Sequence, residues 1–197
     1  MSRYNGGGVS RGCLITLVSV IAIVVLIGSI VIGGYNKAVR FDEDVKGRWA
    51  QVDTALKRRF DLIPNLVETV KGYASHEEGL FTHIADARTK YFSAQGPAAQ
   101  AKAAGQLQGV LSRLLLLQER YPQLKANEGF LKLQDQLEGS ENRIATERKR
   151  YNDSVKLVNT YRRSFFGRFF CTMAGVDKAE YFEIPESQKE VPTVKFN

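Results

Sequence analysis

The sequence is poor in the residues that most directly advertise chemistry. It holds two cysteines and two histidines in 197 residues. A single cysteine pair cannot build the multi-bridge framework of a small secreted domain. Cys13 precedes a long apolar run and Cys171 lies far beyond it. If that run spans a bilayer, the two thiols sit on opposite sides and no bond forms within the chain. His76, Glu77 and His83 faintly resemble a zinc motif, but the histidines are seven apart. A zinc-binding HExxH needs them at i and i+4 on one helical face, and no third ligand stands nearby. The G-x-S-x-G, Walker A and dinucleotide-binding glycine patterns are all missing. A nucleophilic cysteine wants a histidine close by, and the layout derived below puts the two residue types at opposite ends. No catalytic residue, metal or cofactor is therefore expected.

Prolines number five, and no alternating strand pattern appears, which excludes a turn-rich β fold. Charge is unbalanced, with a formal net charge of +7 and a pI near 9.4. Such an excess could serve nucleic acid or an anionic membrane, or be a solvated lysine-rich face. There is no Arg/Gly-rich arm, zinc-finger spacing or RNA-binding signature, so nucleic acid is not an expected partner.

What the chain does have is one long apolar run. Residues 14–32 read LITLVSVIAIVVLIGSIVI, with no charge and with Thr16, Ser19 and Ser29 as small polar interruptions. At about 1.5 Å per residue the run approaches the roughly 30 Å of a hydrocarbon core. The rival is a cleavable signal peptide. Signal h-regions are shorter and end in a small-residue cleavage site, whereas here GGYNKAV follows. A retained anchor, in contact with lipid through residues 14–32, is the expectation. Arg3 and Arg11 flank one side, and Lys37, Arg40 and Lys46 the other, so the positive-inside rule leaves orientation open.

Beyond the anchor, a stripe of helical spacing runs through Tyr35, Val39, Asp42, Val45, Trp49, Val52, Leu56, Phe60, Ile63, Val67, Val70 and Ala74. Its heptad-like phase passes Pro64 unchanged. A proline inside a helix costs about 3 kcal/mol, yet a chain that turned back there would have no reason to keep phase. One long helix kinked at Pro64 is predicted. The alternative is a break, with Asp61 capping a new helix. Ser75 and Glu78 form a capping-box pattern, so a second helix is expected from about 76 to 92. Gly96-Pro97 then opens a third over about 98–119, stopped by Tyr121-Pro122. A fourth, over about 123–164, carries Phe130, Leu133, Leu137, Glu141, Ile144, Arg148, Tyr151, Val155 and Val158. Glu141 and Arg148 either make register-fixing polar contacts or lie at a solvated edge.

The predicted fold class is all-α: a transmembrane helix followed by an antiparallel up-down four-helix bundle with two long and two shorter helices. The domain layout is a short flexible head (1–13), an anchor (14–34), the bundle (35–171) and a largely irregular extension (172–197). In that topology the last helix returns to the bilayer. Its end carries Arg162, Arg163, Phe165, Phe166, Arg168, Phe169 and Phe170. Aromatics interspersed with basic residues suit a lipid interface, although the phenylalanines could instead cap the open end of the bundle. Near the proline, Arg58, Arg59, Asp61, Pro64 and Asn65 are candidate structural or interaction residues. Arg58 or Arg59 could pair with Asp61 or with an acid on the fourth helix, or the group could be a partner-binding patch. The run of leucines at 114–117 circles a whole helical turn. Leu116 is the candidate interface residue left outside.

The stretches YNKAV, LKRRFDLIPNLVETVKGYASHE, ERYPQLKANEGFLKLQDQLEGSENRIATERKRYNDSVKLVN and EYFE resemble the LemA family of bacterial membrane proteins. The likeness covers nearly all of residues 35–183. It departs from the family pattern at RRSFFGRFF, where the family has a proline-bearing stretch. The resemblance implies a single-pass protein of the bacterial inner membrane with an antiparallel four-helix domain. It brings no agreed biochemical activity. Relatives of the domain look connected with membrane organisation in magnetosome-forming bacteria. A non-enzymatic scaffold or interaction module, with protein partners or further copies of itself, is the function it implies. An adaptor for a membrane protease or chaperone is the alternative.

Overall fold

The computed structural model describes residues 11–183. Among them every regular element is helical. Helix α1 (Arg11–Lys71) is unbroken and has Pro64 inside it. It is followed by α2 (Glu78–Ser93), α3 (Pro97–Leu115), the single turn α4 (Leu117–Arg120), a 3-10 turn (Pro122–Ala126), α5 (Glu128–Arg163) and α6 (Phe165–Met173). Residues 1–10 of the expected head, and the tail beyond Glu183, lie outside the described residues.

The apolar run forms the first third of α1 and is exposed along almost all its length. Its leucines, valines and isoleucines are exposed from Leu14 to Ile32 except Val31, which is half-buried against the core. From residue 38 onward the same helix becomes a core element. Ala38, Val45, Val52, Leu56, Phe60, Ile63, Leu66 and Val70 are buried. The stripe read from sequence is thus displaced at its ends: Ala38 and Leu66 go inward, while Tyr35 is exposed and Val67 half-buried. The helix passes through Pro64, as the uninterrupted phase predicts. Pro64 is on the exposed face, so its ring displaces no core side chain; the carbonyl that loses its N–H partner is that of Phe60, which is buried.

Helix α5 runs antiparallel to α1. The pairs Phe41–Tyr161, Trp49–Tyr151 and Arg59–Glu141 fix the direction, one number rising as the other falls. The part of α1 beyond residue 34 and all of α5 are each about 55 Å long at 1.5 Å per residue. Helices α2 and α3 pack on each other and reach α1 through Tyr91. That ring stacks on Phe60 at 4.0 Å, and its hydroxyl donates to Asp53 at 2.8 Å. Burial, with Asp53 adding to it, pushes the Tyr91 phenol far above its ordinary pKa.

Three helix ends differ from the sequence expectation. Ser75 does not cap α2, which starts at Glu78 without a side-chain cap. Glu77, at the cap position, instead accepts from Arg120 at 2.6 Å. Helix α3 stops at Leu115, and Leu116 separates it from α4. The fourth long helix begins at Glu128, because Asn127 caps it by accepting from the Phe130 N–H at 2.8 Å. Residues 122–126 form the 3-10 turn in front of it.

Among the described residues the chain beyond α6, residues 174–183, is irregular but not loose. It turns at Gly175, where φ is +67°. Gly175 N–H donates to Thr172 and Val176 N–H to Cys171, which closes the helix as a Schellman motif. The strand-like segment that follows lies along α5. Asn159 both donates to the Ala179 carbonyl and accepts its N–H, and Asn152 does the same for Phe182. Tyr151 adds a bond to the Glu180 carbonyl at 2.8 Å. Val176 and Phe182 are buried.

Helix α6 doubles back against α1 at Gly34. A Cβ there would overlap the Phe170 ring, and the Gly34 carbonyl accepts from the Tyr161 hydroxyl at 3.0 Å. Cys171 is buried beside this contact and free. Burial pushes its thiol pKa up, and nearby Arg162 partly offsets that rise. Gly34→Val is therefore expected to pry α6 off α1. Maleimide labelling of Cys171 in a Cys13→Ser background should be slow in the parent and clearly faster in the variant; equal rates would mean the contact does not hold α6.

Candidate functional site

Two regions collect the polar and basic side chains singled out by the sequence. The first lies midway along the α1–α5 seam. Arg59 is 8 % exposed. Its Nη1 donates to Glu141 Oε2 on α5 at 2.5 Å, and its Nη2 donates to Gln108 on α3. Burial lowers the Arg59 pKa, and Glu141 opposes that shift. A guanidinium stays charged at any working pH, so the pair serves to tie three helices together. A buried cation is tolerated only when paired and hydrogen-bonded. Arg148 stands nearby, over the Phe182 ring at 5.9 Å. Both stripe residues, Glu141 and Arg148, thus make contacts inside the fold.

The rest of the proline cluster points elsewhere. Arg58, Asp61, Pro64 and Asn65 are exposed. Arg58 lines a shallow groove with Thr54, Leu62, Gln136, Gly139 and Arg143. The structure therefore brings together Arg59 and an acid of α5, and leaves Asp61 aside. His76 and His83 are both exposed on the distal side. Among the described residues no group of three His, Cys, Asp or Glu side chains is arranged to hold a metal.

The second region is the end of the fold where α1 emerges from its apolar run. Ser164 ends α5 in extended backbone and caps α6 by accepting from the Gly167 N–H at 3.2 Å. Gly167 is required there, because a Cβ would overlap the Tyr161 carbonyl. The nine residues of α6 are sharply two-faced. Phe170 and Cys171 turn inward. Phe165, Phe166 and Phe169 are 89 %, 68 % and 60 % exposed, with Met173 beside them. The sequence grouped all four phenylalanines; three face outward and Phe170 packs on Gly34. Gly34 lies two residues past the end of the apolar run, about 3 Å along the helix. The exposed rings are thus flush with the point where α1 would leave hydrocarbon. Lys37, at the same level, sits over the Tyr161 ring at 5.0 Å and the Phe41 ring at 5.7 Å. On the other flank Arg162, Arg163, Arg168 and Lys178 line an open concavity.

Leu116 is 64 % exposed between α3 and α4, whereas Leu114 and Leu117 are buried. Three features escaped the sequence reading. Ser164 and Gly175 were the available signals for a separate α6, a cap before it and an αL residue after it. Asn152 and Asn159, two helical turns apart on α5, are the third; their spacing gives no hint that their partner is irregular backbone.

The profile of the LemA family matches residues 48–196. Magnetosome protein MamQ 2 of Paramagnetospirillum magneticum is 26% identical over 193 residues, covering 85% of this chain and 71% of that protein. Magnetosome protein MamQ of Magnetospirillum gryphiswaldense is 24% identical over 195 residues, covering 86% and 71%.

The Arg59 contacts give a stability expectation. Arg59→Ala leaves Glu141 and Gln108 without their partner; Glu141 is half-exposed, so the loss is about 2 kcal/mol rather than the full cost of a buried pair. Arg58→Ala, on the solvent side, should stay within about 0.5 kcal/mol. Thermal unfolding in detergent followed by circular dichroism reads both; equal shifts would contradict the assignment.

Proposed function

The chain belongs to the LemA family, and from that premise we propose a membrane-anchored, non-enzymatic helical scaffold. In this reading α1 crosses the bacterial inner membrane once through residues 14–34. Helices α1, α2, α3 and α5 form an antiparallel four-helix bundle over 35–171 that stands on the bilayer, and 172–197 is an extension of it. Helix α6 is the foot of the bundle and rests in the headgroup layer. The observation that carries this reading is the outward face of Phe165, Phe166 and Phe169, level with the end of the apolar run. Aromatic rings at that depth gain by burial in the interface, and flanking arginines can reach the headgroups. In water the same three rings would form an uncovered apolar patch.

The contacts described above support the non-enzymatic reading. Arg59 ties helices, Tyr91 and Asp53 join α2 to α1, and the two histidines are isolated at the surface. The relatives named as magnetosome proteins favour a role in membrane organisation, reached through copies of the chain or through protein partners. Leu116 is the proposed contact for such assembly, being a large apolar side chain displayed at the membrane-distal end.

Two measurements test the reading. An environment-sensitive dye at Phe169→Cys, in a chain lacking Cys13 and Cys171, should be quenched by lipids carrying quencher near the headgroup and shielded from iodide. A dye as open to iodide as one at exposed Leu131→Cys removes the foot. For self-association, Leu116→Glu should lower the mass of the detergent-solubilised particle with helicity unchanged; an unaltered mass removes Leu116 as the contact.

A further inference from the structure

The concavity beside α6 is built from three separate pieces of chain. Arg162 and Arg163 come from the last turn of α5, Arg168 from α6, and Lys178 from the segment after the Gly175 turn. Asn159 and Thr172 complete the lining. The concavity is about 470 Å³ and open to one side. No carboxylate lines it. The nearest acid that engages the group is Asp177, 3.7 Å from Arg162 and 97 % exposed. A solvent-exposed pair at that distance is worth little. Four cations held by a folded frame therefore face one space without a matching internal anion. Their mutual repulsion is relieved by an anion from outside.

The frame is fixed from behind. Asn159 is clamped to Ala179, one residue from Lys178. Ser164 and the Schellman turn bracket α6. Phe170 on Gly34 and Tyr161 to the Gly34 carbonyl set the height of the whole unit along α1. That height is about 3 Å beyond the apolar run, whereas the headgroup layer is about 5–8 Å thick on each side. With α1 in a bilayer as proposed, the lipid phosphates would stand at the level of the concavity.

We infer that Arg162, Arg163, Arg168 and Lys178 form a binding site for the headgroup phosphate of an anionic lipid in the bilayer that α1 spans. The inference deepens the proposed foot and rests on it. Guanidinium groups suit a phosphate because their planar fork can donate two bonds at once. Lys178 adds a point charge from a separate segment of chain. The exposed face of α6 would lie against acyl chains of the same lipid layer, so the lipid is held by head and tail together. A free phosphate would meet the cations without the apolar face.

The test uses the full chain in detergent, titrated with phosphatidylglycerol or phosphatidylcholine and read by native mass spectrometry. Phosphatidylglycerol is expected to be retained in preference, one copy per chain. The double variant Arg163→Gln/Arg168→Gln should bind it roughly 30-fold more weakly, each surface cation contributing about fivefold. Arg48→Gln/Arg143→Gln, which removes the same charge from the shaft, should bind as the parent does. Equal retention of the two lipids, or an equal loss in the shaft variant, overturns the site. Inorganic phosphate is the remaining arm: displacement of phosphatidylglycerol at equal concentration would assign the cations to a soluble anion and overturn the lipid. Failure here with the Phe169 dye still shielded leaves the foot standing; an iodide-exposed dye removes both.

Discussion

One continuous helix sets the position of everything else. Helix α1 is bare for most of its apolar run and then becomes the wall on which α5, α6 and the α2–α3 pair are mounted. It has no joint between these two roles. Gly33 and Gly34 lie inside it, and Pro64 lies inside it. The azimuth of the buried stripe and that of the apolar span are therefore locked together. A change in how the anchor sits in its surroundings is felt by the core as a rotation or tilt of the whole wall. This is also why a proline is tolerated. The packing of Phe60, Ile63 and Leu66 holds the helix on both sides of it and offsets the lost backbone bond, while the proline ring itself faces solvent.

Polar contacts do a different job from the apolar ones. The hydrophobic seam is long and repetitive, and a repetitive seam can slip by a turn. Arg59 bonded to both Glu141 and Gln108 has one satisfactory register, as has Tyr91 bonded to Asp53. Each of these groups would be buried without a partner after a slip, at a cost of about 1–3 kcal/mol for a neutral donor and more for a charge. The few polar groups inside the fold are thus the reason its helices meet at one height.

Much of this was legible in the chain. The spacing of Val45, Val52, Phe60 and Val70 gave the long helix and its passage through Pro64. Pro97 marked the start of α3, and the return of the chain towards the apolar run followed from the count of helices. The ends were harder. Ser75 and Glu78 had the pattern of a cap, but Glu77 was drawn to Arg120, a tertiary contact that no local pattern encodes. Phe165 to Phe170 read as one aromatic cluster; only the close approach allowed by Gly34 separates Phe170 from its neighbours. The segment after Gly175 reads as tail because its own side chains are unremarkable. What anchors it belongs to α5.

The asparagine clamps on that segment carry a geometric condition. Seven helical residues advance about 10.5 Å, and three extended residues about 10 Å. Asn152 and Asn159 are seven apart, and the residues they grip are three apart. The two ladders are commensurate, so each amide meets a peptide unit without distortion. Because the grip is on backbone, the identities of residues 180 and 181 are released from it and can drift. An imino acid at 179 or 182 cannot be accommodated, since either would delete a donor the helix is waiting for. Insertion of one residue between them would spoil the match altogether.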